Sequence, residues 1–182
     1  KSTKLTVITT IKNLQKRLIP KNDLVKETIY IEKDIELDVK GLRKKLTNMG
    51  YLLNPQVNFH GEFSIRGSII DIYAGGYEYP IRIDLNDINI ESIRYFNVDS
   101  QITTDEEIID KICIVPIGNI ICNNENVINF RKKYREIFEG NPNKNNIYTS
   151  ISNQIIPQGF NNYFPLLYGN TDSLFEYFSG ID

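Results

Sequence analysis

The chain has 182 residues, is 41% hydrophobic, and carries 21 Lys and Arg against 23 Asp and Glu for a formal net charge of -2. That length and apolar content suit one ordinary domain, or a domain with part of a second. The near-neutral balance excludes a global electrostatic footprint for nucleic acid and leaves only local basic patches to supply one.

No apolar run reaches the roughly 18 residues of a membrane span, so no membrane partner is expected. Two cysteines, Cys113 and Cys122, without a signal peptide or metal-ligand spacing, point to a reduced cytoplasmic compartment. Lys1 stands where an initiator methionine would, which suggests a piece of a longer chain.

The N-terminal "LTVITTIKNLQKRLIP" reads as a short buried strand over Leu5 to Ile8. A helix follows, capped by Thr9 or Thr10, with Ile11, Leu14 and Leu18 on one face, ended by Pro20. From Leu24, "LVKETIYIEKDIEL" reads as extended, with Ile29 and Ile31 alternating with polar residues. In "DVKGLRKKLTNMG", Val39, Leu42, Leu46 and Met49 recur at helical spacing between an Asp38 cap and a Gly50 stop, which predicts an amphipathic helix.

Residues 61 to 97 read as a series of antiparallel strands. Phe63 and Ile65 alternate with Ser64 and Arg66, Ile69 to Tyr73 continue to the turn at Ala74 to Gly76, and Ile81, Ile83 and Leu85 oppose Arg82 and Asp84. A polar "NDIN" turn leads to the strand "IESIRYF". Gly67 lies in the middle of the first run, where a glycine marks a bulge or the close approach of another backbone. After Pro116, an Asn-rich stretch leads into the helix "VINFRKKYREIFEG", with Val127, Phe130, Tyr134, Ile137 and Phe138 as its apolar stripe. One or two short helices and many core aromatics follow.

These elements predict an α+β fold: a small, mostly antiparallel β domain with one amphipathic helix, flanked by α/β segments. The chain has no phosphate-binding G-x-x-x-x-G-K-[ST] loop, no G-x-S-x-G elbow, and His60 as its only histidine. Catalysis, a metal and a cofactor are therefore not expected.

The run "GEFSIRGSIIDIYAGGYEYPIRIDLNDINIESIRYFNVDSQIT" resembles the UvrB-like segment of the bacterial transcription-repair coupling factors, Mfd. It follows G-E-[FY]-x-x-R-G-x-[IL]-[IL]-D-[IL]-[FY], then E-x-P-x-R-[IL]-[DE], then [IL]-[DE]-S-[IL]-R-x-F-[DN]-x-x-[ST]-Q. "VITTIKNLQKRLIP" and "FRKKYREIFEGNPNKNNIYTSISNQIIPQGFNNYFPLLY" are similar to the family's first domain on either side of this insertion. The resemblance implies the end of a UvrB-like domain 1 at residues 1–22, a UvrB domain 2-like docking domain at 23–118, and a helical return into domain 1 at 119–182.

In that family the inserted domain docks UvrA, the ATPase of nucleotide excision repair, so the resemblance implies a non-catalytic UvrA-binding fragment. In the complete protein, other domains bind RNA polymerase and translocate on DNA. The family's two contact arginines fall on Arg66 and Arg82, and its aromatic contact falls on Asn86. An aromatic interface anchor contributes about 2 kcal/mol or more, and Asn86 cannot supply it. Ala74 and Ile102 also depart from the family, which has proline and arginine there.

Two rivals stand beside this reading. One is a nucleic-acid-binding module using Arg43, Lys44, Lys45, Arg131, Lys132, Lys133 and Arg135. The other is a folded remnant without a partner, in which Arg66 and Arg82 pair internally with Asp84, Glu62 or Asp71. Exposure of both arginines on one patch favours docking, and internal pairing of both favours the remnant.

Overall fold

The computed structural model of the chain describes residues 6–118 and 120–178. In chain order the elements are α1 (Ile11–Leu14), α2 (Lys21–Glu27), β1 (Ile29–Glu32), α3 (Val39–Asn48), β2 (Leu52–Leu53), β3 (Glu62–Arg66), β4 (Ile69–Ile72), β5 (Ile81–Asn86), β6 (Asn89–Phe96), β7 (Thr103–Ile108) and β8 (Lys111–Ile114). Then come α4 (Asn124–Ile137), α5 (Asn146–Ser152) and α6 (Leu174–Phe178), with 3-10 turns at Pro142–Lys144 and Phe160–Leu166. The fold is α+β. It divides into two compact units, one spanning Lys26–Ile121 and the other formed by the described residues up to Val25 and from Cys122 onward.

The Lys26–Ile121 unit holds the eight strands found among the described residues. Six form a sheet in the order β2-β3-β4-β5-β6-β7, antiparallel except for the parallel β2–β3 pair, while β1 and β8 pair antiparallel. Helix α3 forms where the sequence predicts it. The Asp38 carboxylate accepts from the Gly41 amide at 3.0 Å, and Gly50 at φ +91° ends the helix. Its Leu42, Leu46 and Met49 join Phe63, Ile70, Ile72, Ile81, Ile83 and Ile93 in one core. The apolar alternation of β3 to β6 therefore commits one sheet face to the helix and leaves the other polar.

Gly67 is not a mid-strand bulge. Arg66 and Ile69 pair across the β3–β4 hairpin, so Gly67 and Ser68 are its two-residue turn, with Gly67 at φ +60°. A Cβ built there meets nothing within 4 Å, so conformation and not close approach requires the glycine. Gly67→Ala is expected to cost about 1–2 kcal/mol, the left-handed penalty alone, read as a lowered urea midpoint at constant m.

Behind the core, Tyr51 donates its hydroxyl to the Val115 carbonyl at 2.8 Å, and burial pushes its pKa up to about 12. The unfolded phenol titrates near 10, so the stability it carries is whole below about pH 10 and is lost as pH rises toward 12. The loss is about 2–3 kcal/mol. Tyr51→Phe is expected to flatten that alkaline fall in urea-unfolding free energy relative to the parent chain.

In the other unit, Asn123 caps α4 by accepting from the Asn126 amide at 2.9 Å, so the helix starts three residues before the predicted Val127. Val127, Phe130 and Tyr134 are buried, as expected of the stripe, and Phe130 packs against Tyr148 and Phe160 with centroids 6.0 and 5.9 Å apart. Ile137 is exposed, and Phe138 lies at the edge of that core, partly exposed but with its ring centroid 4.5 Å from that of Tyr134.

The N-terminal expectations need correction. Leu5 lies outside the described residues, and Thr6 to Ile8 form no strand. Val7 and Ile8 are exposed, as expected for a segment with no ladder partner. Helix α1 is a single turn capped by Thr10. Leu18 instead makes an antiparallel bridge to Asp172. Residues 24 to 27, expected to be extended, end helix α2. The Pro20 carbonyl accepts from the Asp23 and Leu24 amides, and the Asp172 carboxylate caps the Lys21 amide at 2.7 Å. That cap comes from 151 positions away in sequence, so the local pattern could not announce it.

Candidate protein-docking face

Strand register builds the polar sheet face in two rows. Ser64, Asp71, Arg82 and Arg94 lie across β3 to β6, and beside them run Arg66, Ile69, Asp84 and Ser92. Asp71 is fully buried, and a carboxylate in that position must find donors. Arg82 supplies two, Nε to Oδ1 at 2.7 Å and a terminal nitrogen to Oδ2 at 2.9 Å, and Arg66 adds a third to Oδ2 at 2.5 Å. Two guanidiniums over one carboxylate leave one positive charge in excess.

The two arginines are held differently. Arg82 is 13% exposed. It also donates to the Gln101 carbonyl at 3.0 Å and stacks 4.6 Å above the Phe96 ring centroid. The hydrogen bond to Asp71 raises its pKa further, outweighing the opposing effect of burial. Arg66 keeps 41% of its side chain exposed and donates its other terminal nitrogen to the Pro55 carbonyl at 2.9 Å. The loop carrying Pro55 is pinned in turn by Ser64, whose hydroxyl donates to the same carbonyl at 3.0 Å.

The structure therefore brings Arg66 and Arg82 together on one carboxylate. Of the three pairing partners considered from sequence, only Asp71 is used. Glu62 accepts from the Asn54 side chain and the amides of Asn58 and Phe59, and Asp84 accepts from Arg94 at 2.8 Å and Ser92 at 2.7 Å. Asn86 is not part of this cluster. It ends β5 at an exposed hairpin whose Asp87 sits at φ +58°, about 13 Å along the strand from Arg82.

Sequence reading did not assign a role to Gln101 or Phe96. Gln101 adopts φ +58° and donates its amide to the Val57 and Val98 carbonyls, fixing the carbonyl that receives Arg82. Nothing in local spacing signals that link, because Gln101 reaches back 44 residues to Val57.

Elsewhere, Arg43, Lys44 and Lys45 form an exposed basic stretch on α3. Lys133 is committed to the carbonyls of Pro165, Tyr168 and Gly169. His60 packs against Tyr73 with the rings tilted by 37° and centroids 3.8 Å apart. Among the described residues no group of three or more His, Cys, Asp or Glu is arranged to hold a metal ion.

The UvrB interaction domain family matches residues 29–119. The chain belongs to that family. The match runs from the first residue of β1 to just past β8, so every strand of the polar face lies within the UvrB interaction domain.

Relatives agree with the motif resemblance. The transcription-repair-coupling factor of Escherichia coli (strain K12) is 31% identical over 173 residues, covering 94% of this chain and 15% of that protein. That of Haemophilus influenzae is 33% identical over 168 residues, covering 92% and 14%. That of Borreliella burgdorferi is 35% identical over 130 residues, covering 71% and 12%. The chain thus spans about a seventh of the length of the first two, and its similarity to them takes in both of its compact units.

Proposed function

We propose that the chain acts as a UvrA-binding adaptor of a transcription-repair coupling factor, without catalysis of its own, in transcription-coupled nucleotide excision repair. Arg66 and Arg82 are the proposed contacts, with Asn86 at the rim. The UvrB interaction domain match over 29–119 carries this reading, and Arg66, 41% exposed and steadied on buried Asp71, is its most accessible contact. A pre-positioned arginine loses little freedom on binding, and its planar fork suits a partner carboxylate.

In this reading residues 23–118 are the docking domain, and 1–22 and 119–182 are parts of UvrB-like domain 1. Its support is the division of contacts at residues 25/26 and 121/122 together with the family match over 29–119. RNA polymerase and DNA are proposed partners of the complete protein through its other domains. The proposed location is cytoplasmic; among the described residues no helix is long and apolar enough to cross a membrane.

A second reading has its own observation. Both guanidiniums are engaged internally, which favours a folded remnant whose arginines now serve only stability. Calorimetric titration with active UvrA at two salt concentrations separates these readings. Binding that falls only modestly with salt supports docking through a few arginines, and absence of binding contradicts it. A steep fall that mirrors binding to DNA would instead favour phosphate contacts through the basic clusters.

A further inference from the structure

In the unit that includes Cys122 onward, residues of helices α4 and α5 line an open surface cleft of about 410 Å³. Arg131 and Arg135, four residues apart on one face of α4, line one side. Ser152 and Asn153, at the end of α5, line the other, and Asn143 adds a third wall. Arg131 is anchored, with Nε donating to the Ser152 hydroxyl at 3.0 Å and a terminal nitrogen to the Ser152 carbonyl at 3.1 Å. Arg135 lies 5.7 Å from the Tyr148 ring centroid.

The charge of this lining points to an anionic ligand. No carboxylate lines the cleft, and neither arginine is ion-paired among the described residues.

We propose that this cleft binds a phosphate group. The donors come from both helices and from Asn143: the Arg135 fork, the terminal nitrogen that Arg131 leaves free, the Ser152 hydroxyl and the Asn143 and Asn153 amides. That arrangement suits tetrahedrally disposed phosphate oxygens better than the two oxygens of a flat carboxylate. The group is either free phosphate or a phosphodiester of a nucleic-acid backbone. In the second case the contact positions the strand without reading its sequence, because the one aromatic in the lining has its face taken by Arg135. This site is independent of the UvrA reading and uses none of its residues.

The test is amide NMR of the whole 182-residue chain titrated with inorganic phosphate and, separately, with a short single-stranded oligonucleotide. Saturable shifts at the Thr149, Ser152 and Asn153 amides are expected, weakened at least about tenfold by Arg131→Gln or Arg135→Gln. Arg135 is exposed and makes no anchoring hydrogen bond, so its variant keeps the test valid where loss of the Arg131 anchor disturbs folding. Shifts with both ligands, and a salt slope reduced by about 0.7 per arginine removed, assign the phosphate to a strand. Shifts with inorganic phosphate alone assign a small phosphate ligand. No shift at these amides with either ligand overturns the proposal. So do shifts that persist unchanged in both variants, or an acidic peptide binding there while both phosphate ligands fail.

Discussion

Asp71→Ala is expected to cost about 3–5 kcal/mol of folding stability. The carboxylate is completely buried and, among the described residues, is the only one hydrogen-bonded to the Arg82 guanidinium, through two bonds. Removing it leaves a cation that is 13% exposed and hydrogen-bonded to the Gln101 carbonyl, with the Phe96 ring and the more distant charge of Asp84 beside it. Asp71→Asn keeps the shape but loses the charge, so it recovers only part of the loss. Urea unfolding followed by circular dichroism reads the effect. A loss below about 1 kcal/mol at unchanged m would mean that Asp71 does not hold the polar face together.

Arg82→Ala is expected to fall in the same range, about 3–5 kcal/mol, because it strips a buried carboxylate of two of its three donors. Arg66→Ala is expected to cost about 1 kcal/mol or less. Arg66 is 41% exposed, and water can replace much of what its pairing provides. The two arginines, chemically alike and bound to one carboxylate, therefore separate into a structural member and a presented one. Urea midpoints for the two single variants and the double variant measure this. Equal costs for the single variants would remove the distinction.

Much of the fold was legible because its signals are local. The 3.6-residue spacing of Leu42, Leu46 and Met49, between Asp38 and Gly50, produced α3. Strict alternation at Ile81, Ile83 and Leu85 placed Arg82 and Asp84 on the opposite face. Gly67 was misread because glycine signals both bulges and turns. The Arg66–Ile69 pairing, which only the assembled hairpin displays, decides between them.

The errors cluster where the partner is distant. Residues 24–27 became helical in an element capped by Asp172, and the start of α4 moved to Asn124 because an asparagine-rich stretch offers several equivalent caps. In the candidate site, parity alone placed Arg66 and Arg82 on the polar face, and the choice of Asp71 over Glu62 and Asp84 needed the register. Gln101 and Phe96 were invisible as members, since a contact across the sheet leaves no spacing to read.

The proposed docking of UvrA on the polar face of the UvrB interaction domain rests first on Arg66, the presented arginine, and on Arg82 as the residue that shares and stabilises its Asp71 anchor. Its most direct measurement is calorimetric titration of active UvrA into the parent chain and into Arg66→Ala, which is the variant expected to stay folded. The account predicts binding by the parent chain, weakened by about 2 kcal/mol or more, close to thirtyfold, in the variant at unchanged stability. Equal affinities for the two proteins, or no binding by a folded parent chain to UvrA of demonstrated ATPase activity, would contradict it.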